Sequence, residues 1–357
     1  MSHERIKKAN SLVKKNKLDV LIINKLPNVH YLSGYSGSNG LLILAPPRAY
    51  FLTDFRYTVQ ARKEVKSCQI IIAERDLTSE LVKLPCFQKK AKVGFETNHV
   101  TVKLLERMKE LLPKASFVPV EDIAESIAKV KDTAEINKLK KAAKIAETAY
   151  GQILKLVKPG IKERDLALEL QYKMIKMGAD GPSFDFIVAS GQRSSMPHGK
   201  ASDRKIKKGD FITFDFGCFY QGYPSDITRT VVLGKASAKQ KRIYDIVLKA
   251  QVAAVNAARP GMAARELDKV ARDIIIREGY GDNFGHGLGH GLGLDEIHSL
   301  PTVSPRSQDI LKAGHVVTIE PGIYIPNWGG VRIEDDVVIT GKGHKVLTRS
   351  PKELIEL

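Results

Sequence analysis

The chain says nearly the same thing twice, and each time it ends in acids. Lys207-Lys208-Gly209-Asp210-Phe211-Ile212-Thr213-Phe214-Asp215-Phe216-Gly217 returns as Lys312-Ala313-Gly314-His315-Val316-Val317-Thr318-Ile319-Glu320-Pro321-Gly322. In both, a glycine turn feeds a short apolar strand, and a Thr, an acid and a second Gly follow at matching offsets. A further acid then arrives on another β-like run: Asp226 ahead of Ile227-Thr228-Arg229-Thr230-Val231-Val232, and Glu334 after Val331-Arg332-Ile333. Such duplication restricts the fold to two similar halves. A lone acid at a strand end is ordinarily a solvated turn residue, but equivalent acids in both halves need another explanation. Brought to a shared centre, they predict a pseudo-symmetric site for a pair of divalent metal ions. That makes the chain an enzyme.

The segment between the two acid pairs adds an imidazole. Gly285-His286-Gly287-Leu288-Gly289-His290-Gly291-Leu292-Gly293 has Gly at every second position. A helix through so many glycines is strongly disfavoured, so His286 and His290 are expected on an extended strand or loop. Glycine there lets backbone approach a metal or substrate closely. One imidazole among carboxylates suits Mn, Co, Fe or Zn.

The rest of the chain frames this site. With 357 residues, two domains are expected, each burying its own core. Apolar periodicity predicts a helix from Glu4 to about Lys17. Strands are expected at Val20–Ile23, Leu41–Leu44 and Tyr50–Thr53, and a helix from Tyr57 to Val65. Strand and helix signals alternate to Ser116–Val120, the pattern of a small α/β domain over residues 1–126. Asp132 with Glu135 starts a helix that runs to about Leu156, followed by helices at 163–177, 238–258 and 265–278. With the repeated strands these predict an α+β domain over 127–357, its helices on one face of a mostly antiparallel sheet.

Other chemistries find little support. No apolar run reaches the roughly 18 residues of a membrane helix, and the charged Ser2–Lys8 start is not a secretory signal. Cys68, Cys86 and Cys218 are too scattered for a disulfide framework or a thiolate metal site, which points to the cytoplasm. The net charge of +17 raises nucleic acid as a partner. However, the basic residues are spread over both halves, and Lys89, Lys90 and Lys92 lack the interleaved aromatics of a stacking platform. Gly34–Gly40 has no Lys-Ser/Thr ending for phosphate and reads as a turn. No Gly-x-Ser-x-Gly elbow supports covalent catalysis.

Together, Asp215, Asp226, His290, Glu320 and Glu334 resemble the five metal ligands of the pita-bread metallopeptidases, which include aminopeptidase P, prolidase and methionine aminopeptidase. Thr318-Ile319-Glu320-Pro321-Gly322 and Val331-Arg332-Ile333-Glu334-Asp335 carry the likeness. So do Asn28–Gly40 and Asp54-Phe55-Arg56-Tyr57, which are similar to the creatinase-like N-terminal α/β domain of the proline-specific branch. The resemblance implies two divalent ions, Mn foremost with Co, Zn or Fe as alternatives. Asp226 and Glu334 would bridge them, Asp215 would complete one, and His290 with Glu320 the other. It implies Glu320 as proton carrier, Thr228 and Arg332 as groups orienting the ligands, and His198, His286 and His298 as substrate-side residues. It also implies peptide substrates with proline second and a homodimer whose N-terminal domains help to close the partner's site. His298 departs from the pattern by one extra residue after His290. Prolidases carry an Arg at the position of Thr302, and only Arg306 lies near. This favours an Xaa-Pro aminopeptidase, with Xaa-Pro dipeptidase as the alternative. Remoter alternatives are a metal-free creatinase-like enzyme and a non-catalytic binding protein on the same scaffold.

Overall fold

The structure, a computed structural model, describes residues 2–357. The chain forms two compact units, Met1–Ala128 and Lys129–Leu357.

Six strands build the first unit: β1 (Val20–Ile23), β2 (Leu41–Ala45), β3 (Arg48–Asp54), β4 (Gln69–Ala73), β5 (Ala91–Glu96) and β6 (Ala115–Val120). They form one mixed sheet in the order β4-β3-β2-β1-β5-β6. The central strands are apolar without alternation because both faces are covered. Val20, Ile22, Leu41 and Ile43 share a core with Leu81 and Met108, while Leu21, Leu42 and Leu44 are equally buried on the other face. Among the described residues five α-helices accompany the sheet: α1 (Ser2–Lys15), α2 (Leu26–Ser33), α3 (Thr58–Glu64), α4 (Val102–Leu111) and α5 (Ile123–Ala128). Helix α2 is not among the helices expected from the apolar periodicity, and it carries Pro27. Proline is tolerated there because it occupies the first turn, where no amide donor is required.

The second unit runs the same programme twice. Its first half comprises α6 (Thr133–Ile153), α7 (Glu163–Lys176), β7 (Gly181–Pro182), β8 (Ile187–Ser190), β9 (Phe211–Phe216), β10 (Cys218–Tyr220), β11 (Tyr223–Pro224) and β12 (Ile227–Val232). The second comprises α8 (Ala238–Ala257), α9 (Ala264–Arg277), β13 (Gly289–Gly293), β14 (Glu296–Val303), β15 (Val316–Ile319), β16 (Gly322–Ile325), β17 (Gly329–Arg332) and β18 (Asp335–Ile339). A short strand β19 (His344–Val346) closes the chain's last sheet. Each half opens on a helix with a capping box, Asp132 with Glu135 and Ser237 with Gln240. The repeated turn glycines, Gly209 and Gly314, both take positive φ, +85° and +90°, which an L side chain would resist. The strand pairings are antiparallel throughout. Helices α6 and α7 pack on β8, β9 and β12, and α8 and α9 on the strands of the second half.

The halves are joined along a seam between β12 and the β17–β18 segment. Glu334 N–H donates to Thr228 O at 3.1 Å, and the Thr230 hydroxyl donates to Arg332 O at 3.0 Å. Behind the seam, Arg229 and Asp335, both almost fully buried, form an ion pair at 2.8 Å. Lys352 also pairs with Asp335 at 2.9 Å, and these cations hold its carboxyl below the usual range against the pull of burial. Carboxylates gathered at this seam are close neighbours although far apart in sequence.

Candidate metal centre

The seam positions the acids. Asp215 is on β9, opposite Thr228 in the β9–β12 register. Asp226 stands just before β12, Glu320 just after β15, and Glu334 between β17 and β18. Asp215, Asp226 and Glu334 each offer an oxygen, and these oxygens lie within 4.8 Å of one another. His290 Nε2 lies 3.6 Å from both Asp226 Oδ2 and Glu320 Oε1. Two overlapping groups therefore share Asp226.

Burial makes the cluster costly without a cation. The Asp226 and Glu334 carboxyls are pushed well above the usual carboxylate range, first by burial and then by neighbouring acids. Glu320 is pushed up to about 7, chiefly by burial, although the Arg332 charge opposes the rise. Burial pulls His290 down to about 4, so its closeness to two acids is not an ion pair at neutral pH. Its Nδ1 lies 3.1 Å from Gly291 O, and donation there leaves the Nε2 lone pair facing the carboxylates. Asp215 Oδ1 and Glu334 Oε1 are buried without a hydrogen-bond partner. Orphaned acceptors, crowded acids and an inward lone pair all lack the same thing, a positive charge. The residues fit divalent metal.

The supporting side chains are fixed from behind. The Thr228 hydroxyl donates to Glu334 Oε2 at 2.7 Å and accepts from Arg332 Nε at 3.0 Å. Arg332 Nη2 donates to Asp215 Oδ2 at 2.6 Å, and its Nη1 donates to the Tyr324 hydroxyl at 2.8 Å. Thr318 donates to Glu320 Oε1 at 3.2 Å and accepts from His290 N–H at 3.0 Å. The repeated Thr has thus diverged between the halves. Its counterpart Thr213 pairs only with the Thr230 hydroxyl, at 3.2 Å.

Alternating glycines let the backbones close around His290. A Cβ on Gly289 would stand 2.1 Å from Thr318 O, and one on Gly291 2.1 Å from Leu300 O. β13 is therefore clamped between β14 and β15 at a separation that side chains would prevent.

The segment from His290 to His298 spans the turn from β13 into β14. Asp295 adopts positive φ, +56°, its N–H donates to Gly222 O at 2.7 Å, and the β13–β14 register shifts twice. His298 is still brought to the site, its ring centroid 4.2 Å from that of His290. His198 and His286 line the same cleft, of about 420 Å³, together with all five candidate ligands and Arg332. His286 Nε2 lies 3.0 Å from the Tyr324 hydroxyl, and burial brings its pKa down to about 4. Thr302 and Arg306 are exposed and are not among the residues lining the cleft.

Two residues escaped the sequence reading. Tyr324 links His286 to Arg332; its one signal is its place on the strand leaving the Glu320 turn. Asp336 accepts the Asp226 N–H at 3.2 Å and is fully buried. The unusual run of three acids, Glu334-Asp335-Asp336, was its signal.

Known proteins resemble this chain along its whole length. Residues 137–341 match metallopeptidase family M24, and residues 5–128 match the creatinase/prolidase N-terminal domain. An Xaa-Pro dipeptidase of Pyrococcus horikoshii is 41% identical over 355 residues, 99% of either chain. An Xaa-Pro dipeptidase structure from Bacillus anthracis is 42% identical with TM-score 0.97, covering 100% of both chains. The structure of an X-Pro aminopeptidase from Thermotoga maritima is 37% identical with TM-score 0.88, covering 96% of this chain and 98% of the other. Fold and site together define a hydrolase that binds divalent metal. The chain belongs to metallopeptidase family M24, with a creatinase-type N-terminal domain followed in sequence by the pita-bread catalytic fold.

Proposed function

We propose that the protein is an Xaa-Pro dipeptidase, hydrolysing the bond between an N-terminal residue and a following proline in dipeptides with two divalent ions bound. The observation that carries this is full-length likeness to Xaa-Pro dipeptidases at 41% and 42% identity, joined to a buried carboxylate cluster that needs cations. These likenesses support the dipeptidase better than the aminopeptidase favoured on sequence. The aminopeptidase stays as second reading because Thr302 stands where an Arg was expected, and because of the Thermotoga maritima relative.

Asp215, Asp226, His290, Glu320 and Glu334 would hold the ions, and Mn is the expected metal. Bound ions supply Lewis acidity and bring a water within reach of deprotonation near neutral pH. Glu320 would accept the proton of the attacking water and return it to the prolyl nitrogen as the C–N bond breaks. That return matters because a prolyl amide nitrogen carries no hydrogen of its own. His198 and His298 face the substrate and donate to the carbonyl oxygen, and His286 lines the pocket. Thr228 and Arg332 hold the carboxylates in place.

A homodimer fits an exposed apolar stripe on α7, Leu168, Tyr172 and Ile175. A cytoplasmic setting fits the three free thiols. Among the described residues no helix is long and apolar enough to cross a membrane. The test is hydrolysis of Ala-Pro and Ala-Pro-Ala after chelation and after Mn is restored. Metal-restored cleavage of Ala-Pro at a rate equal to or above the tripeptide supports the dipeptidase. Tripeptide cleavage with a slower dipeptide turns the reading to aminopeptidase, and no cleavage of either overturns both.

A further inference from the structure

In an Xaa-Pro dipeptide the carboxylate sits on the carbon next to the scissile nitrogen. It therefore enters a cleft already lined by five acids and needs a cation close by. Imidazoles aside, two cations line the cleft, Arg332 and Lys200. Arg332 is buried and committed to Asp215, Thr228 and Tyr324, so it has no surface to offer a ligand. Lys200 is different. Its side chain is 73% exposed and pairs only with Asp185, itself 75% exposed and also lining the cleft. Its backbone is firmly held: Lys200 N–H donates to His198 O at 2.9 Å, and Arg193 donates to Lys200 O. Arg193 is in turn fixed at 3.0 Å by the fully buried Glu163.

Resting on the dipeptidase reading above, we propose that Lys200 is the specificity residue that binds the dipeptide's C-terminal carboxylate, with Asp185 as the competing partner that the substrate displaces. An ammonium on a flexible stem beside the substrate-side His198 serves as point-charge partner where the usual rigid guanidinium is missing. Asp185 has the opposite effect: while paired it occupies the charge the substrate needs.

The two side chains should therefore act in opposite directions. With metal-loaded full-length enzyme, Lys200→Met is expected to raise KM for Ala-Pro about tenfold, the loss of one charged hydrogen bond, with kcat little changed. Lys200→Arg should recover most of that loss. Asp185→Asn is expected to lower KM for Ala-Pro roughly twofold or more, as removal of an exposed competing ion pair allows. Ala-Pro-amide, which has no carboxylate, should be insensitive to all three. Both side chains are exposed, and thermal unfolding of each variant checks that the fold is intact. Unchanged Ala-Pro kinetics in Lys200→Met, or equal effects on the acid and the amide, would overturn the assignment while leaving the dipeptidase reading intact. Failure of the wild-type enzyme to cleave Ala-Pro while cleaving Ala-Pro-Ala would remove the dipeptidase reading itself.

Discussion

Replacing Thr228 by Val tests whether the groups behind the acids tune the site. The change keeps shape and branching and removes one hydroxyl from a side chain with 0% exposure. That hydroxyl donates to Glu334 Oε2 at 2.7 Å and accepts from Arg332 Nε at 3.0 Å. Glu334 Oε1 already lacks a partner, so the variant leaves the carboxylate without any donor from the protein and a buried guanidinium N–H without an acceptor. The bond from the Arg332 guanidinium is worth about 1.5–3 kcal/mol and the one to Glu334 about 0.5–1.5 kcal/mol. Partial relaxation brings the expected loss of unfolding free energy to roughly 3 kcal/mol. Metal affinity should fall about 10–100-fold, the usual cost of losing a group that orients a ligand. Urea unfolding of the apoprotein and competition for Mn against a chelator measure the two losses. Thr213→Val is the control, since its hydroxyl lies in the same strand pair but meets only Thr230 at 3.2 Å. It should cost about 1 kcal/mol and leave Mn binding unchanged. If Thr228→Val bound Mn as tightly as wild type, or if both variants lost affinity alike, the orienting role would be refuted.

Glu320→Gln should keep the fold while lowering kcat by about 10²–10⁴-fold, and stopped assays with Mn in excess separate this from metal loss. The pH dependence of the apoprotein has a definite sign. Glu320 binds its proton more tightly folded, at about 7, than at its ordinary 4.5; stability is therefore full below 4.5 and falls as pH rises through 7. The rise in Tm on adding Mn should accordingly be greater at pH 8 than at pH 5, and binding should release protons; a Tm increment independent of pH would contradict this. Gly291→Ala puts a methyl 2.1 Å from Leu300 O, which should cost about 1–3 kcal/mol and weaken Mn binding through His290. By contrast, Gly151→Ala in α6 meets open space and should stabilise the protein by about 0.8–1 kcal/mol.

Much of this protein was legible in the chain itself. The repeated Gly-to-acid segments exposed the duplication because the same positive-φ turn has to precede β9 and β15. Asp132 and Glu135 marked the start of the catalytic unit because a capping box is a local interaction. The glycines around His290 excluded a helix because the penalty is intrinsic to the backbone. All of these are short-range effects, and short-range effects are written in sequence.

What only the tertiary structure decided depends on distance across the seam. Offsets in sequence cannot show that Arg332 reaches Asp215, Thr228 and Tyr324 at once, or that Asp336 backs Asp226. The extra residue before His298 was ambiguous in one dimension. In three dimensions the turn holds a left-handed Asp295, the pairing shifts register twice, and the imidazole lies beside His290. The two repeated threonines look equivalent in the chain and are not so in the fold. Only one of them has His290 and Glu320 within hydrogen-bond reach, because β13 pairs with β15 and not with β9.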